Sequence, residues 1–413
     1  MNQQKYQLRW FALLLIVMAL FFVGLLWVNY QFANSAVGKG GFIIRYSGAK
    51  ALLKSGLNPY SEELLQWFYQ QQYKIYSGIG GEKFVLEIPL YSLFVYAPLI
   101  FLENPVHAQA IWMMLQEIAV IGLVFVVLDV YEWSPSAWVK GVLLFVAIAF
   151  YHTIQGIIEG GLFILVTLLL GLMLKCIKTG QDELTGLILA SMLIAPATSA
   201  GVIIFTLFFG VFQKRFRIIF TFLGAFGVLF VVSYFVFPGW LLNYIRVLFV
   251  GGHFNPGQAL VGKIAQITPG IFSQLRLILL MGFGGLLLHE WYSFRRAQFD
   301  GFLWCVMVTA VIGSFLIPGK NSTSYILLIP GLMLIMRGIY SRWSNAGDWI
   351  VVMLWVSVFV IVWLVFLISG QEVYFPMQKE IMFFVVPVMG LIGLYWIKWW
   401  VLLPTRSILG RDL

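Results

Sequence analysis

The side chains able to do chemistry in this chain are few and widely spaced. Carboxylates expected on the outer side of a membrane or within it are Glu62, Glu63, Glu82, Glu87, Glu103, Glu117, Glu159, Glu372 and Glu380, and cations expected on the outer side are Arg45, Lys50, Lys54, Arg246, Lys263, Arg276 and Lys320. A positioned carboxylate can take a proton from a hydroxyl as that hydroxyl forms a new bond. Arginine grips a phosphate with parallel N–H groups, whereas lysine meets it as a compact point charge. Ordinary roles compete with these. Glu62 and Glu63 suit the first turn of a helix, Glu87 suits a solvated or ion-paired position, and Arg276 and Lys320 suit snorkelling to an interface. Glu117 stands at the middle of an apolar run, where a carboxylate costs about 2.5–3.5 kcal/mol to insert. With Gln109, Met113 and Gln116 it marks an inward stripe, serving either a headgroup pocket or proton path, or a protonated, hydrogen-bonded structural role.

Other chemistries lack their parts. His107, His152, His253 and His289 show no metal-ligand spacing, and no P-loop, dinucleotide-binding glycine pattern or nucleophile elbow occurs. Cys176 and Cys305 lie inside apolar runs, as buried inert thiols do. Neither a metal nor another cofactor is expected.

The elements that must position these groups are membrane helices. The chain is 61% hydrophobic and 10% charged, against about 25% charged in a soluble globular protein. Its net charge of +9 comes from short clusters between apolar runs, so it implies loop charges that orient spans and no nucleic-acid partner. Twelve apolar segments are predicted, at 10–30, 105–130, 138–154, 161–177, 184–197, 200–213, 218–238, 272–289, 300–317, 324–340, 348–369 and 380–401. Those at 184–197 and 200–213 are short, either tilted spans or a re-entrant hairpin. The run 88–102 is too short to cross and is laid on the outer interface. With a cytoplasmic N-terminus, Lys175, Lys178, Lys214, Arg215, Arg217, Arg295, Arg296, Arg337, Arg342, Arg406 and Arg411 all fall inside, as the positive-inside rule requires. The C-terminus is then cytoplasmic too, and the chain reads as one transmembrane domain over 1–413.

The outer segment 31–104 has its own pattern. Residues 43–55 predict an amphipathic helix with Lys50 and Lys54 on its polar face and Ile43, Ile44, Leu52 and Leu53 on its apolar one. Gly56 is its C-cap, Pro59 blocks continuation, and Ser61 begins a second helix through Leu64, Leu65, Trp67, Phe68 and Tyr69. Two helices on the membrane surface suit either a lipid-linked substrate or a structural lid.

A first span, the run Arg45–Tyr60 with its Asn58-Pro59-Tyr60 turn, then Glu87-Ile88-Pro89-Leu90-Tyr91 and Tyr96-Ala97-Pro98-Leu99 follow in order. Ala108–Trp112, Gly156–Gly161 and Ile194-Ala195-Pro196 come next. This series resembles the GT-C superfamily of membrane glycosyltransferases, and within it the polyprenol-phosphate-mannose-dependent mannosyltransferases, over about residues 10–340. The resemblance implies an all-α GT-C-like fold in a plasma (inner) membrane. It also implies hexosyl transfer from a polyprenyl-phosphate sugar to a lipid or glycan acceptor on the extracytoplasmic face. Members of that family carry an acid after the first span. Here Gly41 stands there, Gly160-Gly161 replaces a Gly-Gln pair, and Ala195 replaces a lysine before proline. Glu87 is then the expected surrogate base, with Glu159 second. Arg276, Lys320, Arg45 and Lys263 are the expected phosphate ligands. The losses equally fit a catalytically degenerate relative acting as a lipid-binding or scaffold subunit of a membrane complex.

Overall fold

The computed structural model describes residues 2–35, 41–61, 63–64, 86–250, 260–266, 269–317, 322–343, 346–369 and 376–402. Among them there is no strand. The helices are α1 (Asn2–Ser35), α2 (Gly41–Ser55), α3 (Leu90–Phe101, mostly 3₁₀), α4 (Pro105–Val130), α5 (Ala137–Ala149), α6 (Tyr151–Glu159), α7 (Phe163–Lys178), α8 (Asp182–Met192) and α9 (Pro196–Phe212). They continue with α10 (Phe216–Val236), α11 (Trp240–Val250), α12 (Leu260–Gln266), α13 (Phe272–Phe294), α14 (Phe299–Leu316), α15 (Ile329–Arg342, after a 3₁₀ turn Ser322–Leu328), α16 (Gly347–Ser369) and α17 (Pro376–Ile397). Among the described residues six helices are long and apolar enough to cross a membrane, or seven if α5 and α6 form one bent span. The molecule is a multi-pass, all-helical membrane protein.

The runs expected at 105–130, 218–238, 272–289, 300–317, 324–340, 348–369 and 380–401 fall on α4, α10, α13, α14, α15, α16 and α17, and the first span falls within α1. The run 138–154 is not one straight helix. Phe150 is extended (φ −59°, ψ 133°), and α5 and α6 meet at 48°. The amide of Thr153 bonds to Phe150 O at 2.9 Å, and Trp363 Nε1 donates to Ala149 O at 3.0 Å. An indole therefore satisfies the carbonyl at the bend. The run 184–197 stops at Met192, because Pro196 opens the next helix and has no amide to extend the previous one. Helices α8 and α9 have 11 and 17 residues.

The chain divides into two compact units. One comprises Met1–Leu86, Leu93–Ile118 and Ile157–Gly161, and the other Glu87–Ser92, Ala119–Gly156 and Leu162–Leu413. In the larger unit α14 is central, its residues from Phe302 to Phe315 all buried. It packs on α9, α13 and α17, while α8 packs along α7 and α10. Helices α10 and α13 leave Phe220, Phe235, Leu277 and Met281 exposed, faces that suit lipid.

One charged cluster sits inside this core. Glu290, near the end of α13 and 2% exposed, accepts both its close contacts from Lys398 Nζ at 2.7 Å, and Tyr395 Oη donates to it at 2.9 Å. The Lys398 ammonium lies 4.8 Å from the Trp304 ring centre. Removing one partner of such a pair leaves an uncompensated buried charge, at about 3–5 kcal/mol. Lys398→Met is therefore expected to lower the thermal stability of the purified full-length protein sharply. Adding Glu290→Gln should restore most of the loss, read as melting temperature in detergent.

Candidate functional site

The smaller unit is organised on α2. Phe42, Ile43, Tyr46, Ser47, Gly48, Ala49, Ala51 and Leu52 are buried. Ile43 and Leu52 are on the packed face as the amphipathic reading has them, whereas Leu53 is exposed, Ile44 is half-buried, and small residues fill the rest of that face. Gly48 lies against Leu86 and Leu93. Lys50 and Lys54 keep the polar side. Burial first, and Lys54 second, hold the Lys50 ammonium below its usual range, with Glu103 acting against them. The predicted cap holds. Gly56 N bonds to Leu52 O and Leu57 N to Ala51 O, after which Asn58 Oδ1 accepts from Tyr60 N and shapes the turn before Ser61. The second surface helix beyond Leu64 lies outside the described residues.

The chemistry-bearing side chains of this unit converge on the turn Glu159–Gly161. Arg45 Nη1 donates to Glu159 O at 3.1 Å. Tyr96 Oη and Trp112 Nε1 both donate to Gly160 O, at 2.9 and 3.0 Å, and Gln116 Nε2 donates to Gly161 O at 2.8 Å. Three successive carbonyls are thereby satisfied by four side chains from α2, α3 and α4. Phe42 closes the turn, its ring 6.1 Å from Tyr96 and 6.4 Å from Trp112. Gly160 has φ +61°, and an added Cβ would stand 2.4 Å from Phe42 Cβ. Glycine is required twice over, by backbone sign and by space.

Gly41 explains what became of the expected acid's position. A Cβ built there would meet Arg45 Nη1 at 2.6 Å and Cζ at 3.1 Å. The guanidinium covers the α-carbon where a carboxylate would project, and it is turned to the Glu159 carbonyl. An acid at 41 would stand one helical turn from Arg45 as an ion pair. With glycine there, Arg45 serves the backbone. Glu159 itself enters this cluster through its main chain.

Glu117 is half-buried in α4, and its Oε2 accepts from Asn29 Nδ2 of α1 at 2.9 Å. Gln109, Met113 and Gln116 are buried, as the inward stripe predicts. Gln116 Oε1 has no partner among the described residues. Sequence reading missed Asn29, although a lone Asn in an apolar run was a signal that a polar partner lay opposite.

In the larger unit, Glu87 is exposed at the head of the segment Glu87–Ser92. That segment is anchored by Ser92 Oγ donating to Ile194 O at 2.8 Å, and by Tyr91 edge-on to Trp240 at 5.8 Å. Burial first and the nearby Glu87 carboxylate second push the Tyr244 phenol up to about 12. Burial first and Tyr244 second raise Tyr91 as well. The structure therefore brings Glu87 near the Tyr244 phenol, which in turn lies near Tyr91, a neighbour not singled out from the sequence. Arg276 is half-buried near the start of α13, its guanidinium 5.4 Å from the Phe272 ring centre, a snorkelling posture. Lys320 lies outside the described residues. Lys263 is in α12, and its side chain lies outside them too. Among the described residues no group of three His, Cys, Asp or Glu could hold a metal.

The Glu159–Gly161 turn gives a direct test. Gly160→Ala is expected to cost about 1–3 kcal/mol from overpacking and a disfavoured backbone. The check is a lowered thermal midpoint of the full-length protein against wild type, with Gly270→Ala as a control in open space.

Comparison with models of known protein families finds no match for this chain, and comparison with curated proteins finds no significant match.

Proposed function

We propose that this chain is a GT-C-like membrane glycosyltransferase. In this reading twelve crossings place both termini on the cytoplasmic side of the inner membrane. A hexose moves from a polyprenyl-phosphate donor to a lipid or glycan acceptor on the outer face. The observation that carries the reading is Glu87, an exposed carboxylate on an anchored segment beside Tyr244. Transfer to a hydroxyl needs a base that is reachable by solvent-borne or lipid-borne acceptors and held in one place.

The chemistry then runs in one displacement. The acceptor oxygen attacks the anomeric carbon while Glu87 takes its proton. The bond from that carbon to the phosphate oxygen breaks, and polyprenyl phosphate leaves with the electron pair. Direct attack inverts the anomeric configuration. Arg276 and Lys320, with Lys263 as a further cation, would neutralise the leaving phosphate, and no metal or other cofactor is invoked.

A second reading, a degenerate relative that binds lipid or scaffolds a membrane complex, is favoured by Gly41. The Arg45 guanidinium occupies the space at that position and is committed to a backbone carbonyl. Glu159 contributes its carbonyl to the same closed turn, which argues for structure over catalysis there.

Sugar transfer in proteoliposomes separates the two readings, with radiolabelled polyprenyl-phosphate mannose and glucose as donors and a native lipid extract as acceptor. The expected result is transfer by wild type that falls at least about a hundredfold in Glu87→Gln, the typical scale of a lost general base, with thermal stability unchanged. Transfer unaffected by Glu87→Gln would overturn the assignment of the base. No transfer from any donor, by protein that still binds polyprenyl phosphate, would establish the degenerate reading.

A further inference from the structure

A cavity of about 180 Å³ opens in the larger unit between the start of α14 and the end of α15. Its polar lining is Asp300, Arg337 and Ser341, and its apolar lining includes Trp304, Leu334 and Ile397. Asp300 is exposed and Arg337 half-buried. Neither forms an ion pair or a side-chain hydrogen bond with any described residue. The acid within electrostatic reach of Arg337 is Glu132, and it is already engaged by Lys178 at 2.7 Å. Asp300, in the first turn of α14, also suits the helix N-terminus, but that leaves Arg337 unneutralised.

Residues next in the chain to this lining, from Arg342 beside Ser341 and Trp396 beside Ile397, carry the marks of a membrane–water interface. Arg342 lies 4.7 Å from the Trp400 ring centre and 5.6 Å from that of Trp343. Trp343 stacks on Trp396 at 4°, and Trp343, Trp399 and Trp400 are exposed. Tryptophan and arginine gather where one end of a side chain is apolar and the other wet. Lipid headgroups sit at that depth, and basic pockets between span ends bind them.

We infer that this cavity binds a phosphoethanolamine lipid headgroup, the phosphate on Arg337 and the ammonium on Asp300. A headgroup carrying both charges neutralises both side chains, with Ser341 as a further hydrogen-bonding group and Leu334 and Ile397 against the lipid's glycerol and upper chains. A purely anionic headgroup leaves Asp300 facing like charge. A serine headgroup adds a carboxylate beside it, and a choline headgroup has no N–H to donate. This site does not depend on the sugar-transfer reading, which concerns other residues.

The test is native mass spectrometry of delipidated full-length protein titrated with phosphatidylethanolamine, phosphatidylglycerol and phosphatidylcholine of identical chains. Wild type should retain phosphatidylethanolamine about tenfold over phosphatidylglycerol, the size of one charge-assisted hydrogen bond. Asp300→Asn should bring that ratio near one while phosphate-dependent binding persists. Arg337→Gln should weaken all three lipids. Equal retention of the three lipids by wild type, or an unchanged ratio in Asp300→Asn, would overturn the assignment. If Arg337→Gln fails to fold, the exposed Asp300→Asn alone decides.

Discussion

A carbonyl freed from its helix inside a bilayer has no water to turn to, and the structure depends on meeting that demand wherever a helix is interrupted. The Glu159–Gly161 turn is met by a guanidinium, a phenol, an indole and a carboxamide. Ala149 at the bend before α6 is met by Trp363, and Leu394, near the π-turn Lys398–Leu402, by Trp304 at 2.6 Å. Tyr131 Oη likewise gives its donor to a main-chain oxygen, Pro330 O in the first turn of α15, at 2.7 Å. The abundance of tryptophan and tyrosine thus has a use beyond belts at the interface. Each brings a large apolar body and one donor, which suits a site that is dry except for one oxygen.

The same demand decides which polar groups remain for chemistry. Arg45, Tyr96, Trp112 and Gln116 are the obvious polar equipment of the smaller unit, and all four are bound to main-chain oxygens. A turn held this firmly is a frame, and a frame leaves its polar groups little freedom to reorganise about a reacting substrate. Glu87 is differently placed. Its segment is held by Ser92 and Tyr91, yet the carboxylate itself is exposed. Fixed backbone with a reachable acid is the arrangement a proton acceptor needs, and it is the reason the weight of the functional reading rests there.

The six helices long and apolar enough to cross a membrane were legible because each is an apolar run bounded by charge, glycine or proline, and length alone bounds what a run can do. Pro105–Val130 and Gly347–Ser369 follow the runs almost residue for residue. The bend at Phe150 was not legible, since no proline or glycine stands there and the indole that satisfies the freed Ala149 carbonyl, Trp363, comes 214 positions later in the chain. The burial of α2 was misjudged for a related reason. Ser47, Gly48 and Ala49 read as neutral in a periodicity argument, but their small size is what admits neighbours. Gly41 and Gly160 were visible as departures from a motif. That Arg45 would fill the space beside one, and Phe42 the space beside the other, needed three dimensions.

The pairing of Glu290 with Lys398 also imposes an order on the chain's birth. The two residues are 108 positions apart, so Glu290 leaves the ribosome well before its partner. At ordinary translation speeds of about 5–20 residues per second, that gap lasts roughly 5–20 s. Through it the carboxyl has no lysine, and protonation or a place at headgroup depth spares it an unpaired buried charge. The turn Lys398–Leu402 that follows α17 is therefore the piece whose arrival neutralises Glu290 of α13. A chain cut short before Lys398 would carry an unmatched charge at its core, a flaw that membrane quality control is built to notice.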